Sequence, residues 1–223
     1  KRFMINSRTV AKAAVLDPTF TASLPAGITA ETGMDAMTHA MEAYISKLSS
    51  PESDAFAIEA IELIFKHLPI VYKDGSNLES RQAMAKASLL AGKAFRSSLL
   101  GYVHAISHQF GALYGTPHGL GNAIALPLVV DYSKDTAEEK LAMIAVSTGL
   151  GESNLSNTEL AQLTVNKLKS LNEEVGIPTK LESLKKQDIP EIARRAFKEG
   201  LAMHAGPKYM GIKDLETLLS KLL

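Results

Sequence analysis

Cysteine and tryptophan are both absent from this chain of 223 residues, and aromatic side chains make up only 6% of it. Without cysteine there is no disulfide framework, no thiolate metal site and no cysteine nucleophile. An excess of either charge is missing too, since lysine plus arginine number 24 and aspartate plus glutamate number 24. That balance argues against a grip on nucleic acid or on an anionic membrane surface. No apolar run approaches the roughly 20 residues that a membrane-crossing helix needs, and the N-terminus lacks the layout of a signal peptide. The expectation is a cytoplasmic protein with no nucleic-acid and no membrane partner. What the chain does have is 46% hydrophobic residues, too many for a disordered tail and enough for a large core. It opens at Lys1 without methionine and runs at once into an apolar stretch, so a piece of a longer protein is expected.

Phe3 to Ile5 and Ala13 to Leu16 read as two short strands or extended segments, the second ended by Asp17-Pro18. After Pro25 the periodicity is helical. Met34, Met37, Met41 and Tyr44 predict a helix over about 32–47. Ser50-Pro51 starts a second helix, and His67, near Pro69, is expected at its C-terminal end as a dipole-bound imidazolium. Asn77 opens a third, running to about Phe95. Gly101 to Tyr114 is a fourth, broken at Gly115-Thr116-Pro117, and a fifth runs from about Gly119 towards Val130. Thr136 to Thr148 follows. Ser156 with Glu159, and Asp188 with Glu191, form two capping boxes, and Asp214 opens a last short helix. The fold expected is all-α: a multi-helix bundle of about nine helices over 25–223, with a short extended lead at 1–24.

Three of the six histidines fall between residues 104 and 118. Asp35 and His39 stand four residues apart, which on a helix puts both side chains on one face, one turn apart. His104 and His108 repeat that spacing. His118 follows in Gly115-Thr116-Pro117-His118-Gly119, where glycine permits close backbone approach. A carboxylate and several imidazoles suit a divalent first-row metal, iron or zinc. The competing reading, histidines making core hydrogen bonds, is the better one for a lone pair; two pairs and a third segment favour the metal. His204 reads as surface or as a wall of the site. Phosphate cradles are absent: Gly119-x-Gly121 meets Ile124 where a dinucleotide fingerprint needs its third glycine, and Gly149-x-Gly151 meets Asn154. No Gly-x-Ser-x-Gly elbow occurs either.

Gly33-Met34-Asp35-Ala36-Met37-Thr38-His39-Ala40-Met41-Glu42 resembles the first signature of the iron-containing (group III) alcohol dehydrogenases. Gly101-Tyr102-Val103-His104-Ala105-Ile106-Ser107-His108, with Gly115-Thr116-Pro117-His118-Gly119, resembles their second. The resemblance is strongest from Val15 to Pro127. It implies metal ligation by Asp35, His39, His104 and His118, with Fe(2+) or Zn(2+) as the ion. It further implies that His108 lies near the nicotinamide and helps to move a proton, and that Lys1 reaches the cofactor, NAD or NADP. The fold implied is the dehydroquinate synthase-like α domain, with residues 1–24 as the remnant of a missing N-terminal cofactor-binding domain. The activity implied is metal-assisted hydride transfer between an alcohol and an aldehyde or ketone, with that missing domain and a homo-oligomer as partners. One departure is Gly206-Pro207-Lys208, where relatives often carry Asn-Pro-Arg. Two other readings stand beside it. One is a helical metal-dependent hydrolase, although the chain has no His-Asp dipeptide and no His-Glu-x-x-His. The other is a non-catalytic helical assembly module.

Overall fold

The computed structural model describes residues 11–203 and 205–223. Lys1, the segment Phe3 to Ile5 and His204 therefore lie outside the described residues. Nine α-helices are present among those described: α1 (Ala26–Ile45), α2 (Pro51–Lys73), α3 (Leu78–Ser98), α4 (Tyr102–Tyr114), α5 (His118–Tyr132), α6 (Glu138–Ser147), α7 (Asn157–Glu174), α8 (Ile189–Met203) and α9 (Ile212–Ser220). The all-α expectation holds.

Of the two readings for Ala13 to Leu16, strand or extended segment, the strand does not form; these residues are irregular, and Val15 is 91% exposed. A strand needs a neighbouring ladder for its backbone groups, and the described residues hold none. Asp17 instead caps a 3-10 turn (Pro18–Thr21) by accepting from the Thr19 N–H at 2.9 Å.

Three helix starts, those of α2, α3 and α7, follow the local chemistry closely. Ser50 accepts from the Ser53 N–H and Pro51 takes the first helical position, while Asn77 caps α3 through the Ser80 N–H. Ser156 and Glu159 form the expected reciprocal box. The expected box at Asp188 and Glu191 spends its carboxylates elsewhere. Asp188 accepts from the Tyr114 hydroxyl at 2.8 Å, and Glu191 pairs with Arg194 and Arg195. A second correction concerns α2, which runs on through Pro69 to Lys73. His67 is thus not at a helix end. It is buried with Nδ1 3.0 Å from Ser80 Oγ, and burial pushes its pKa down, so the ring is a neutral core group.

α1 is the central helix. It begins at Ala26, earlier than its methionine pattern suggests, and packs against α2, α3 and α5. Met34, Met37 and Met41 have no exposed surface, and burying each contributes on the order of 1.5–3 kcal/mol. α4 lies between α5 and α8, and α6 pairs with α7. Two glycines set the crossing that matters most. Gly115, with φ of 68°, ends α4 in the left-handed conformation that glycine adopts without strain. A Cβ on Gly119 would stand 2.3 Å from the Glu31 carbonyl oxygen, so only glycine lets the start of α5 come this close to α1.

Candidate metal centre

Asp35 and His39 project from α1 one turn apart, with Asp35 Oδ2 3.8 Å from His39 Nδ1. α4 brings His104 beside them, 1% exposed. One ligand atom from each of these three residues lies within 4.8 Å of the others. His118, the first residue of α5, places Nε2 3.5 Å from Asp35 Oδ1, and its ring is 5.3 Å from that of His104. The four residues that the resemblance implies as ligands therefore meet, from three helices.

His39 is held in a stack, its ring 4.6 Å from Phe95 on one side and 4.7 Å from His104 on the other. Burial pushes its pKa down to about 4. The neighbouring His104 adds to that shift, while Asp35 and Glu42 oppose it. A neutral imidazole at ordinary pH is the form that can ligate a metal.

Asn122, on α5, stands at the middle of the cluster. Its Nδ2 is 2.6 Å from Asp35 Oδ1, 3.1 Å from His104 Nε2 and 3.2 Å from His118 Nε2. An amide nitrogen has two hydrogens, so it can serve at most two of these three acceptors at once. Its own Oδ1 is buried with no hydrogen-bond partner among the described residues. One carboxylate, three imidazoles and no thiolate, converging on one point rich in acceptors, fit a divalent first-row ion.

His108 stands outside this cluster. It lies one turn beyond His104, its ring stacked 5.2 Å from His118, and its Nδ1 meets Glu199 Oε1 of α8 at 2.5 Å. The other oxygen of Glu199 accepts from Gln109 Nε2 at 2.9 Å. These side chains line an open cleft of about 700 Å³, with Ser107, Thr116 and His118 on its wall. His108 is thus placed for chemistry in the cleft.

Sequence reasoning missed four residues here: Glu42, Phe95, Asn122 and Glu199. Glu42 had a signal, a carboxylate on the otherwise apolar stretch Ala40-Met41-Glu42-Ala43 one turn beyond His39. Asn122 had a weaker one, a lone polar residue one turn beyond His118 amid Ala and Leu. Phe95 and Glu199 had none, because tertiary packing alone brings them from distant positions.

Residues 29–223 match the C-terminal part of the Fe-containing alcohol dehydrogenase family. This chain belongs to that family. The 1,3-propanediol dehydrogenase of Citrobacter freundii is 45% identical over 204 residues, covering 91% of this chain and 53% of that relative. The NAD-dependent methanol dehydrogenase of Bacillus methanolicus is 36% identical over 222 residues, 99% of this chain and 58% of that relative. Among solved structures, a 1,3-propanediol oxidoreductase superposes with a TM-score of 0.90 at 41% identity, covering 93% of this chain and 55% of that one. The chain spans about half the length of the curated relatives it matches. No helix among the described residues is long and apolar enough to cross a membrane.

Proposed function

We propose that this chain is the metal-holding part of an NAD(P)-dependent alcohol dehydrogenase that interconverts an alcohol with an aldehyde or ketone. The observation that carries the reading is the meeting of Asp35, His39, His104 and His118 beside an open cleft. In this reading those four residues hold a divalent ion, iron or zinc. When bound, the ion supplies Lewis acidity at the substrate oxygen and the nicotinamide exchanges the hydride. The residues of the chain do the rest. Asp35 contributes the one negative charge of the set and the neutral imidazoles none, so with a divalent ion bound the four would leave a net positive charge towards a developing alkoxide. His108, steadied by Glu199, stands on the cleft wall as the group that passes the alcohol proton to solvent. Gly111 and Ala112, which carry little or no side chain, also line that cleft.

In this reading cofactor binding belongs to a separate N-terminal domain, with residues 25–223 as the helical domain; the match to the C-terminal part of the family and the greater length of the relatives support it. The test uses the protein that carries this chain, loaded with Fe(2+) under anaerobic conditions and offered NAD or NADP with short alcohols and diols. Reduced nicotinamide should accumulate, and His104→Ala should abolish it while keeping the helical circular dichroism of the parent. Metal-dependent hydrolysis of a phosphate or amide, with no nicotinamide turnover under any of these conditions, would replace this reading with a hydrolase.

A further inference from the structure

We propose that Glu42 is a positioning residue that fixes the tautomer and orientation of His104, so that Nε2 presents a lone pair to the cluster. The inference rests on the reading of His104 as a metal-holding residue.

Glu42 is 5% exposed on a helix whose neighbouring core positions are Met34, Met37, Ala40 and Met41. A buried carboxylate is costly unless donors meet its oxygens. Two do. Oε1 accepts from the Val103 N–H at 2.8 Å, one of the backbone donors that the first turn of α4 leaves without a helical partner. Oε2 stands 2.6 Å from His104 Nδ1. The start of a helix also favours a negative charge, so the docking of α4 on Glu42 is doubly favourable.

The chemistry of that second contact decides the tautomer. An ionised carboxylate offers only acceptors, so the hydrogen in the bond belongs to Nδ1. A neutral imidazole protonated at Nδ1 carries its lone pair at Nε2. Nε2 is the atom 3.1 Å from Asn122 Nδ2, facing the same point as Asp35 and His118. The geometry leaves room for this arrangement at one further position. A Cβ on Gly101 would stand 2.9 Å from Glu42 Oε1, so a side chain there would press on the carboxylate. Glu42 and Gly101, distant in sequence, thus meet where α4 begins beside α1.

Glutamine at position 42 tests this. It keeps the size of the side chain but offers one oxygen to two donors. If its amide nitrogen faces Val103, two N–H groups oppose each other. If it faces His104, the ring must accept at Nδ1 and carry its proton on Nε2, pointing at the other ligands.

Two measurements read the outcome. Nitrogen-15 shifts of the metal-free wild-type chain should show His104 protonated at Nδ1, and Glu42→Gln should move its proton towards Nε2. Titration with Co(2+), followed by its visible absorption, should show affinity weakened about 10–100-fold in Glu42→Gln, the usual effect of removing such a partner. Gly101→Ala, which presses on the carboxylate without removing it, should weaken Co(2+) binding in the same direction and serves for that readout if Glu42→Gln does not fold. A wild-type His104 protonated at Nε2 would overturn the proposal without any variant. Asp35→Ala separates the two layers of the argument. Unchanged Co(2+) binding in Asp35→Ala overturns the metal reading itself. Loss of binding in Asp35→Ala beside wild-type affinity in Glu42→Gln overturns this inference alone.

Discussion

Asn122 Nδ2 lies 2.6 Å from Asp35 Oδ1, joining α5 to α1 across 87 positions of sequence. This contact brings a donor into a group of acceptors. Asn122→Asp would replace that donor with a second carboxylate beside Asp35 and His118. In chelator the variant should lose about 1–3 kcal/mol of stability, because buried acceptors then face each other. Added Fe(2+) or Zn(2+) should raise its melting temperature by more than it raises that of wild type. Calorimetry with and without metal checks both, and equal stability of the two chains in chelator would contradict the account.

Gly119 carries a sharper steric prediction. A methyl group there would meet the Glu31 backbone at 2.3 Å, and backbone has little freedom to give. Gly119→Ala should cost about 1–3 kcal/mol or more through overpacking. It should also draw His118 away from Asp35, weakening metal binding beyond the loss in stability. Urea unfolding together with Co(2+) titration measures the two effects, and a wild-type unfolding midpoint would show that the crossing is looser than described.

Two histidines set the acid limit of the metal-free chain. His39 is pushed down to about 4 and His67 is also lowered, each mainly by burial. The unfolded chain therefore takes up these protons first as pH falls below about 6.5. Stability from the neutral rings is fully present above that value and is lost on acidification, the share of His39 as pH falls towards about 4. The expected slope is about 1.4 kcal/mol per pH unit for each proton taken up only by the unfolded chain. Urea midpoints in chelator at a series of pH values check the sign. A midpoint that rises on acidification would contradict it.

The cleft histidine is tested through the reaction. His108→Ala should keep metal and fold but lower turnover of the full protein about 10²–10⁴-fold, the usual share of a proton-transferring group. Glu199→Gln, which leaves a single oxygen to accept from His108 and Gln109, should fall between that variant and wild type. Equal turnover of wild type and His108→Ala would remove the proton route.

Helix starts were legible because single side chains decide them: Ser50, Asn77 and Ser156 each cap the helix expected of them. Helical spacing and a glycine turn made five candidates legible, Asp35, His39, His104, His108 and His118, and the resemblance to the family, not spacing, separated the four of the cluster from His108. What lies behind them was not. Glu199 reaches His108 across 91 positions, and no local periodicity encodes a contact of that range. Pro69 misled for another reason. A proline disfavours a helix interior, yet packing of α2 against α1 and α3 carries the helix through it. The extended segment at 13–16 has strand-like residues but no neighbouring strand among the described residues.

The most direct test is the metal content of the purified chain, by elemental mass spectrometry, beside that of Asp35→Ala. The account predicts about one iron or zinc ion per chain, present as purified or after reloading with Fe(2+) or Zn(2+), and its loss in a folded Asp35→Ala variant. A folded wild-type chain that takes up neither ion, or an Asp35→Ala variant that keeps its metal, would contradict it.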